Sequence, residues 1–360
     1  MSLEKVQEDL EAERSPARSV GNNAPFGGGH KQNHEQTPLS ASREKTVAFK
    51  FGGTSLLGAK RMLHAATLVR SAAQVSSITV VVSAMKGVTD RLLSLAHELA
   101  EGRFSRAHNN AESILFLHLD VLRELQLDED DDLRVRRELM LLGRDLLHET
   151  PCEGRHVVDS ALADRLASYG ERFSARLFAA ALEKSGVAAV PVASSDFVLT
   201  CGNFRDAQPQ FEQTRERGRN VLLPLLQAGI VPVVTGFIGA TTDGRITTLG
   251  RNSSDFSGAI IADVVQADEL VIWTDVDGIF TANPHESSEA QLLHELSYDE
   301  AHVLAAAGAK VLHAKVLPLA AETQMVIWVR NTFNPQSRGT RIGPAPSSSV
   351  ASNGSAPLTF

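Results

Sequence analysis

From Thr46 onward the apolar positions of the chain follow two alternating patterns. Thr46–Phe51, Ser77–Ser83, Ala188–Val192, Ile230–Thr235, Glu269–Thr274 and Met325–Arg330 are short, near-continuous apolar runs. Such runs are the signature of strands buried on both faces. Between them apolar residues recur at helical spacing, from Leu57 to about Gln74, after Val88 through Glu101, and over much of Phe104–Glu149. The same spacing returns over Val158–Ser185, Phe211–Ala228, Phe256–Val265, Tyr298–Ala307 and His313–Glu322. This β-α rhythm predicts an α/β fold, a parallel sheet covered by helices. Phe237–Leu249 reads as a hairpin turning at Thr242-Asp243-Gly244-Arg245. In the longest helical stretch Ala161, Leu162, Leu166, Phe173, Leu177 and Ala181 form the apolar face, and Gly170-Glu171 is expected to interrupt it.

The ends depart from both patterns. Met1–Lys45 is polar, broken by Gly27-Gly28-Gly29 and isolated prolines, and predicts a disordered tail with at most a short amphipathic helix near Leu3–Arg14. Residues 343–360 are rich in Pro and Ser and predict a second flexible tail. His30 and His34 in the first tail lack the further fixed ligands a metal site needs. Asp128-Glu129-Asp130-Asp131-Asp132 suits the first turn of a helix, where acids meet the positive dipole end, and lacks the glycine and terminal glutamate of a calcium loop.

Composition narrows the function classes. The 360 residues suffice for one large or two modest domains, and the formal net charge of −8 offers no basic footprint for nucleic acid. Cys152 and Cys201 are the only cysteines and have no metal-ligand spacing, which fits free thiols in a reducing compartment. No apolar run approaches the roughly 20 residues a bilayer span needs, and Met1–Asp9 is no secretory signal. The expectation is a cytoplasmic protein with neither nucleic-acid nor membrane partners.

Candidate chemistry gathers at the strand ends. Lys50-Phe51-Gly52-Gly53-Thr54-Ser55 joins a strand to a helix through two glycines. Such a junction serves equally as a phosphate cradle, with backbone N–H groups and a lysine for the anion, or as an ordinary tight turn. Glu171 sits among apolar positions and needs a partner, either a structural arginine such as Arg176 or a ligand's ammonium group. Asp275 and Asp277 follow a strand at the edge where open α/β sheets bind ligands, although an aspartate-rich turn reads the same way.

Taken in order, Lys50-Phe51-Gly52-Gly53-Thr54-Ser55, Gly170-Glu171, Gly250-Arg251-Asn252-Ser253-Ser254-Asp255, Trp273-Thr274-Asp275-Val276-Asp277-Gly278 and Gly308-Ala309-Lys310-Val311-Leu312-His313 resemble the motifs of aspartate kinases. The resemblance runs from about Val47 to Ile342 and implies the amino-acid kinase fold. That fold is a three-layer sandwich with a mainly parallel central sheet and two lobes, an amino-acid lobe over about 46–205 and an ATP lobe over about 206–342. It implies phosphorylation of the β-carboxylate of L-aspartate by ATP with Mg²⁺, the first step towards lysine, threonine and methionine. By this likeness Lys50 and Asp255 are catalytic. Lys50, Gly52, Gly53, Ser55, Thr274, Asp275, Phe280, His285, Lys310 and Val311 bind ATP. Ser83, Thr89, Glu171, Arg251 and Asp255 hold the amino acid, Glu171 by its ammonium and Arg251 by its α-carboxylate. No protein ligand to Mg²⁺ is assigned, and a homodimer is left open.

Three departures qualify the likeness. Phe280 stands where the family usually has tyrosine, and Asn283-Pro284-His285 where it has an Asp-Pro-Arg-like run, so a permanent charge is replaced by a mostly neutral imidazole. Ala314 replaces a common proline. Aspartate kinases usually continue into paired ACT domains, and none is expected after Asn331–Pro335 here. A kinase for a different amino or carboxylic acid, and a non-catalytic nucleotide-binding subunit, are the two alternative readings.

Overall fold

The computed structural model describes residues 45–153, 158–251, 253–282, 289–306, 312–313 and 315–344. Both predicted tails, with His30 and His34, lie outside these residues, apart from Lys45 and residues 343–344. The first strands and helices follow the apolar runs closely: β1 (Thr46–Phe51), α1 (Ala59–Ala73), β2 (Ser77–Val82) and α2 (Val88–Ala100). Then come α3 (Phe104–Leu125), α4 (Glu129–Glu149), α5 (Ser160–Lys184), β3 (Ala189–Val192), α6 (Phe211–Gln227) and β4 (Val231–Thr235). The hairpin β5 (Ile238–Ala240) and β6 (Ile246–Thr248) leads into α7 (Ser254–Val264), β7 (Glu269–Thr274), β8 (Ile279–Phe280), β9 (Leu292–Leu293) and β10 (Glu295–Ser297). The last elements are α8 (Tyr298–Ala306), α9 (Val316–Thr323), β11 (Val326–Asn331) and β12 (Thr340–Gly343).

Eight strands form one sheet in the order β10-β12-β11-β7-β1-β2-β4-β3. Only the β11–β12 pair in it is antiparallel. β1 therefore lies at the centre, with Lys50 opposite Val81 of β2 and Ile272 of β7. Its side chains alternate between layers, as a pleated strand requires. Phe49 and Phe51 pack with Trp273, and Phe51 also meets Phe178 of α5 at 5.3 Å between ring centroids. Ala48 and Lys50 face the other way. Gly258 of α7 makes room for the lysine stem, since a Cβ there would lie 3.1 Å from that of Lys50.

Local chemistry explains most element ends. Gln126 turns left-handed after α3, and Asp128 caps α4 by accepting the Asp131 N–H at 3.0 Å, so the acidic run is a helix start as its sequence suggested. The expected interruption at Gly170-Glu171 is absent, and α5 runs unbroken from Ser160 to Lys184. Gly170 serves contact instead: a Cβ there would lie 2.6 Å from Ala84 Cβ, so the glycine lets the helix touch the segment after β2. Cys152 and Cys201 are both free. Among the described residues no helix is long and apolar enough to cross a membrane.

His118 of α3 is fully buried and stacks on Phe173 with ring centroids 4.4 Å apart. Its Nδ1–H donates to Ile114 O at 2.6 Å, and Nε2 has no partner, so a second proton would have no acceptor. Burial accordingly pushes its pKa down from 6.5 to about 4. The unfolded chain takes up that proton first, so stability falls as pH drops from 6.5 to about 4 and levels off below. The expected loss is on the order of 3 kcal/mol, read from urea melts across this range. His118→Phe should remove that part of the slope.

Candidate functional site

The carboxyl ends of β1 and β2, the middle of α5 and the start of α7 enclose a cleft of about 520 Å³. Each wall follows from a local feature of the sequence. Ser55 N–H bonds to Gly52 O at 3.0 Å, which curls the chain between β1 and α1, and the Gly52 N–H reaches Trp273 O at 3.2 Å. Gly53 lies against the backbone after β2, with its O accepting the Lys86 N–H at 3.1 Å. A Cβ at Gly53 would stand 2.5 Å from Ala84 O and 3.0 Å from Lys86 N, so only glycine fits.

Lys50 and Asp255 meet in this cleft. Lys50 Nζ is 2.7 Å from Asp255 Oδ1, and the lysine is 7% exposed. Asp255 sits in the first turn of α7, where a carboxylate also suits the helix dipole. Glu171 projects from α5 and is 3% exposed. Its Oε1 accepts the Ala84 N–H at 3.0 Å, while its Oε2 is buried without a hydrogen-bond partner. Burial raises its pKa to about 8, against the opposing pull of the Ala84 N–H and the Lys50 charge. Arg176, the alternative partner, instead pairs with Glu138 at 3.3 Å.

Further unpaired groups point the same way. Ser83 Oγ and Ser253 Oγ are buried without partners and line the same cleft as Glu171. Buried polar atoms in native proteins are nearly all satisfied, so three orphans around one cavity mark a place for a polar ligand. Thr89 and Arg251 complete the wall. Arg251 is 78% exposed along its side chain, and its guanidinium lies 3.6 Å from Asp90 at the opening. Phe237, also lining the cleft, sits at φ +66°, a conformation that side chains avoid and that recurs at functional sites.

All the residues assigned to the amino acid by resemblance thus come together with Lys50 and Gly53. Of the nucleotide set, Gly52, Ser55, Thr274, Asp275 and Phe280 are described but do not line this cleft. Thr274 ends β7 and Asp275 follows it, with Thr274 Oγ1 donating to Asp275 Oδ1 at 3.3 Å, and Phe280 lies in the small β8–β9 ribbon. Ser55 is fully buried with its Oγ 2.7 Å from Thr332 Oγ1, which ties the glycine turn to the end of β11. Asn283, His285, Lys310 and Val311 lie outside the described residues. Sequence patterns assign no site role to Phe237 or to Asp164, a buried carboxylate on α5, and Ser253 enters only as part of the Gly250–Asp255 motif.

The amino acid kinase family profile matches residues 45–331, nearly the whole described chain. The chain belongs to the amino acid kinase family. Among its relatives, lysine-sensitive aspartokinase 3 of Escherichia coli is 33% identical over 296 residues, covering 82% of this chain and 64% of that protein. Chloroplastic aspartokinase 1 of Arabidopsis thaliana is 31% identical over 303 residues, covering 82% of this chain and 52% of that one. The chain therefore spans roughly half to two thirds of the length of these relatives. E. coli aspartokinase III in complex with aspartate and ADP has a TM-score of 0.73 at 32% identity, over 84% of this chain and 66% of that one. The same enzyme with lysine and aspartate gives 0.75 at 31%, over 85% and 66%.

For this member of the family, Gly53→Ala drives a methyl group into backbone that cannot yield cheaply. It should cost about 1–3 kcal/mol of stability, measured as a lowered urea midpoint at unchanged m-value.

Proposed function

We propose that the chain transfers the γ-phosphoryl group of ATP to the β-carboxylate of L-aspartate, giving 4-phospho-L-aspartate and ADP. In this reading it opens the route to lysine, threonine and methionine. The observation that carries the proposal is the buried, half-satisfied carboxylate of Glu171 in one cleft with Arg251 and the Lys50–Asp255 pair. An α-amino acid offers the matching charges: its ammonium group satisfies Glu171 Oε2, and its α-carboxylate draws Arg251 inward. Ser83 and Thr89 flank it. The similar E. coli aspartokinase III structure in complex with aspartate and ADP supports the same pair of ligands.

The reacting carboxylate needs no general base, because a group with a reference pKa near 3.9 is ionised at neutral pH. One of its oxygens forms the new bond to the γ-phosphorus as the bond to the β-phosphate oxygen breaks, and no proton moves. The barrier is repulsion between anions: two unit charges about 4 Å apart oppose each other by roughly 4 kcal/mol at an effective dielectric near 20. Lys50 offsets part of this, held in place by Asp255 until phosphate oxygens compete for it. The backbone at Gly52 and Gly53 lines the phosphates, and Thr274, Asp275 and Phe280 flank the nucleotide. Mg²⁺, when bound, neutralises phosphate charge. In this reading the ion arrives on the phosphates.

Incubation with Mg-ATP, L-aspartate and hydroxylamine should trap aspartyl hydroxamate, and Lys50→Ala should lower its rate by about a hundredfold or more. ADP release with another carboxylic acid and none with aspartate would refute the assignment of substrate.

A further inference from the structure

Seven residues before Glu171, two turns earlier on the same face of α5, Asp164 is 1% exposed. Its carboxylate is satisfied by loops rather than by its own helix. Oδ2 accepts the N–H of Arg205 at 2.8 Å and of Thr248 at 2.7 Å, and Oδ1 accepts the Thr248 hydroxyl at 3.0 Å. Burial pushes its pKa up, and these three donors pull it back.

Both anchored segments lead to the cleft. Thr248 ends β6, and Arg251 follows it through Leu249, whose N–H bonds to Phe237 O at 3.0 Å, and Gly250 at φ +100°. Gly250 lies against Asp206, where a Cβ would be 3.0 Å from Oδ1, and Lys315 Nζ fixes that same oxygen at 2.6 Å. Arg205 adopts φ +72°, a backbone conformation that it would not choose unaided. The loop is therefore held by its contacts. The unbroken α5 holds the segment after β2 through Glu171 and the end of β6 through Asp164, about 10 Å apart along its axis.

We infer that Asp164 is a positioning residue that sets the distance between Glu171 and Arg251, and so selects acceptors bearing an ammonium and a carboxylate on one carbon. The inference rests on reading the cleft as an amino-acid acceptor site. Its role is geometric rather than electrostatic. Asp164→Ala strands two N–H groups and a hydroxyl. Asp164→Asn offers its carbonyl to both N–H groups and its amide to the Thr248 hydroxyl, keeping the anchor without the charge.

The test compares L-aspartate with 3-aminopropanoate, which keeps the reacting carboxylate and the ammonium but lacks the α-carboxylate. Asp164→Ala should raise the aspartate KM about tenfold, the cost of leaving buried donors unsatisfied. The nucleotide KM should stay within about twofold, and the preference for aspartate over 3-aminopropanoate should shrink by the same factor of about ten. Asp164→Asn should restore aspartate binding to within about threefold of the parent, and Thr248→Val, which keeps both N–H groups and safeguards against misfolding of the alanine variant, should fall between. Equal losses for both acceptors, a nucleotide KM rising in step, or asparagine as damaging as alanine would overturn the inference. Amide exchange in the free protein separates this result from the reading of the site. Arg205 and Thr248 should lose protection in Asp164→Ala while Ala84 keeps it, and unchanged exchange would refute the anchor even if the parent phosphorylates no acceptor.

Discussion

The rest of the site depends on burying charge at the carboxyl end of the central strand. Lys50 leaves β1 between two neighbouring strands and meets Asp255 at 2.7 Å, with Glu171 close enough for the lysine charge to act on it. Buried charges are tolerated only when paired and hydrogen-bonded. The pairing here needs β1, α5 and α7 in register, which the continuous eight-stranded sheet and the close approach of Gly258 provide. Glu171 is the remainder. One oxygen is satisfied by Ala84 and the other is left for something outside the chain. A fold that keeps such a group has exchanged stability for readiness to bind.

The glycines divide this work. Gly53 lets the turn after β1 lie flat on the backbone after β2, Gly170 lets α5 reach the same segment, and Gly258 admits the lysine stem. Each removes a side chain where two elements converge on the cleft. Asp164 extends the logic along α5, so that one helix carries both the carboxylate facing the cleft and the one that holds the end of β6. Ser55 and Thr332 join the glycine turn to β11, linking the central strand to the next but one.

Much of this was legible in the sequence. Continuous apolar runs located the strands, because both faces of this sheet are covered, and the Asp128 cap and the turn before Arg245 followed from local chemistry. Lys50, Glu171, Arg251 and Asp255 could be grouped only by resemblance, since the first and last lie 205 positions apart. One reading misled. Gly170 looked like a helix breaker, because its packing against Ala84 is a contact between distant segments that no local pattern reveals. The bond of the Ser55 hydroxyl to Thr332 is likewise a long-range contact that the sequence does not announce. Asp164 went unnoticed, although a carboxylate seven residues before Glu171 on an apolar helix was a signal that it, too, needed partners.

Burial keeps Glu171 largely protonated in the free protein, with one oxygen left unsatisfied. Its pKa of about 8 in the free protein means that an arriving ammonium must displace a proton near neutral pH. Calorimetric titration with L-aspartate at pH 7, in buffers of differing ionisation enthalpy, measures that proton directly. On the proposed reading, close to one proton is released per aspartate, fading above pH 8 and absent in Glu171→Gln, which also binds more weakly. Aspartate binding with no proton released, and equally tight in Glu171→Gln, would contradict it.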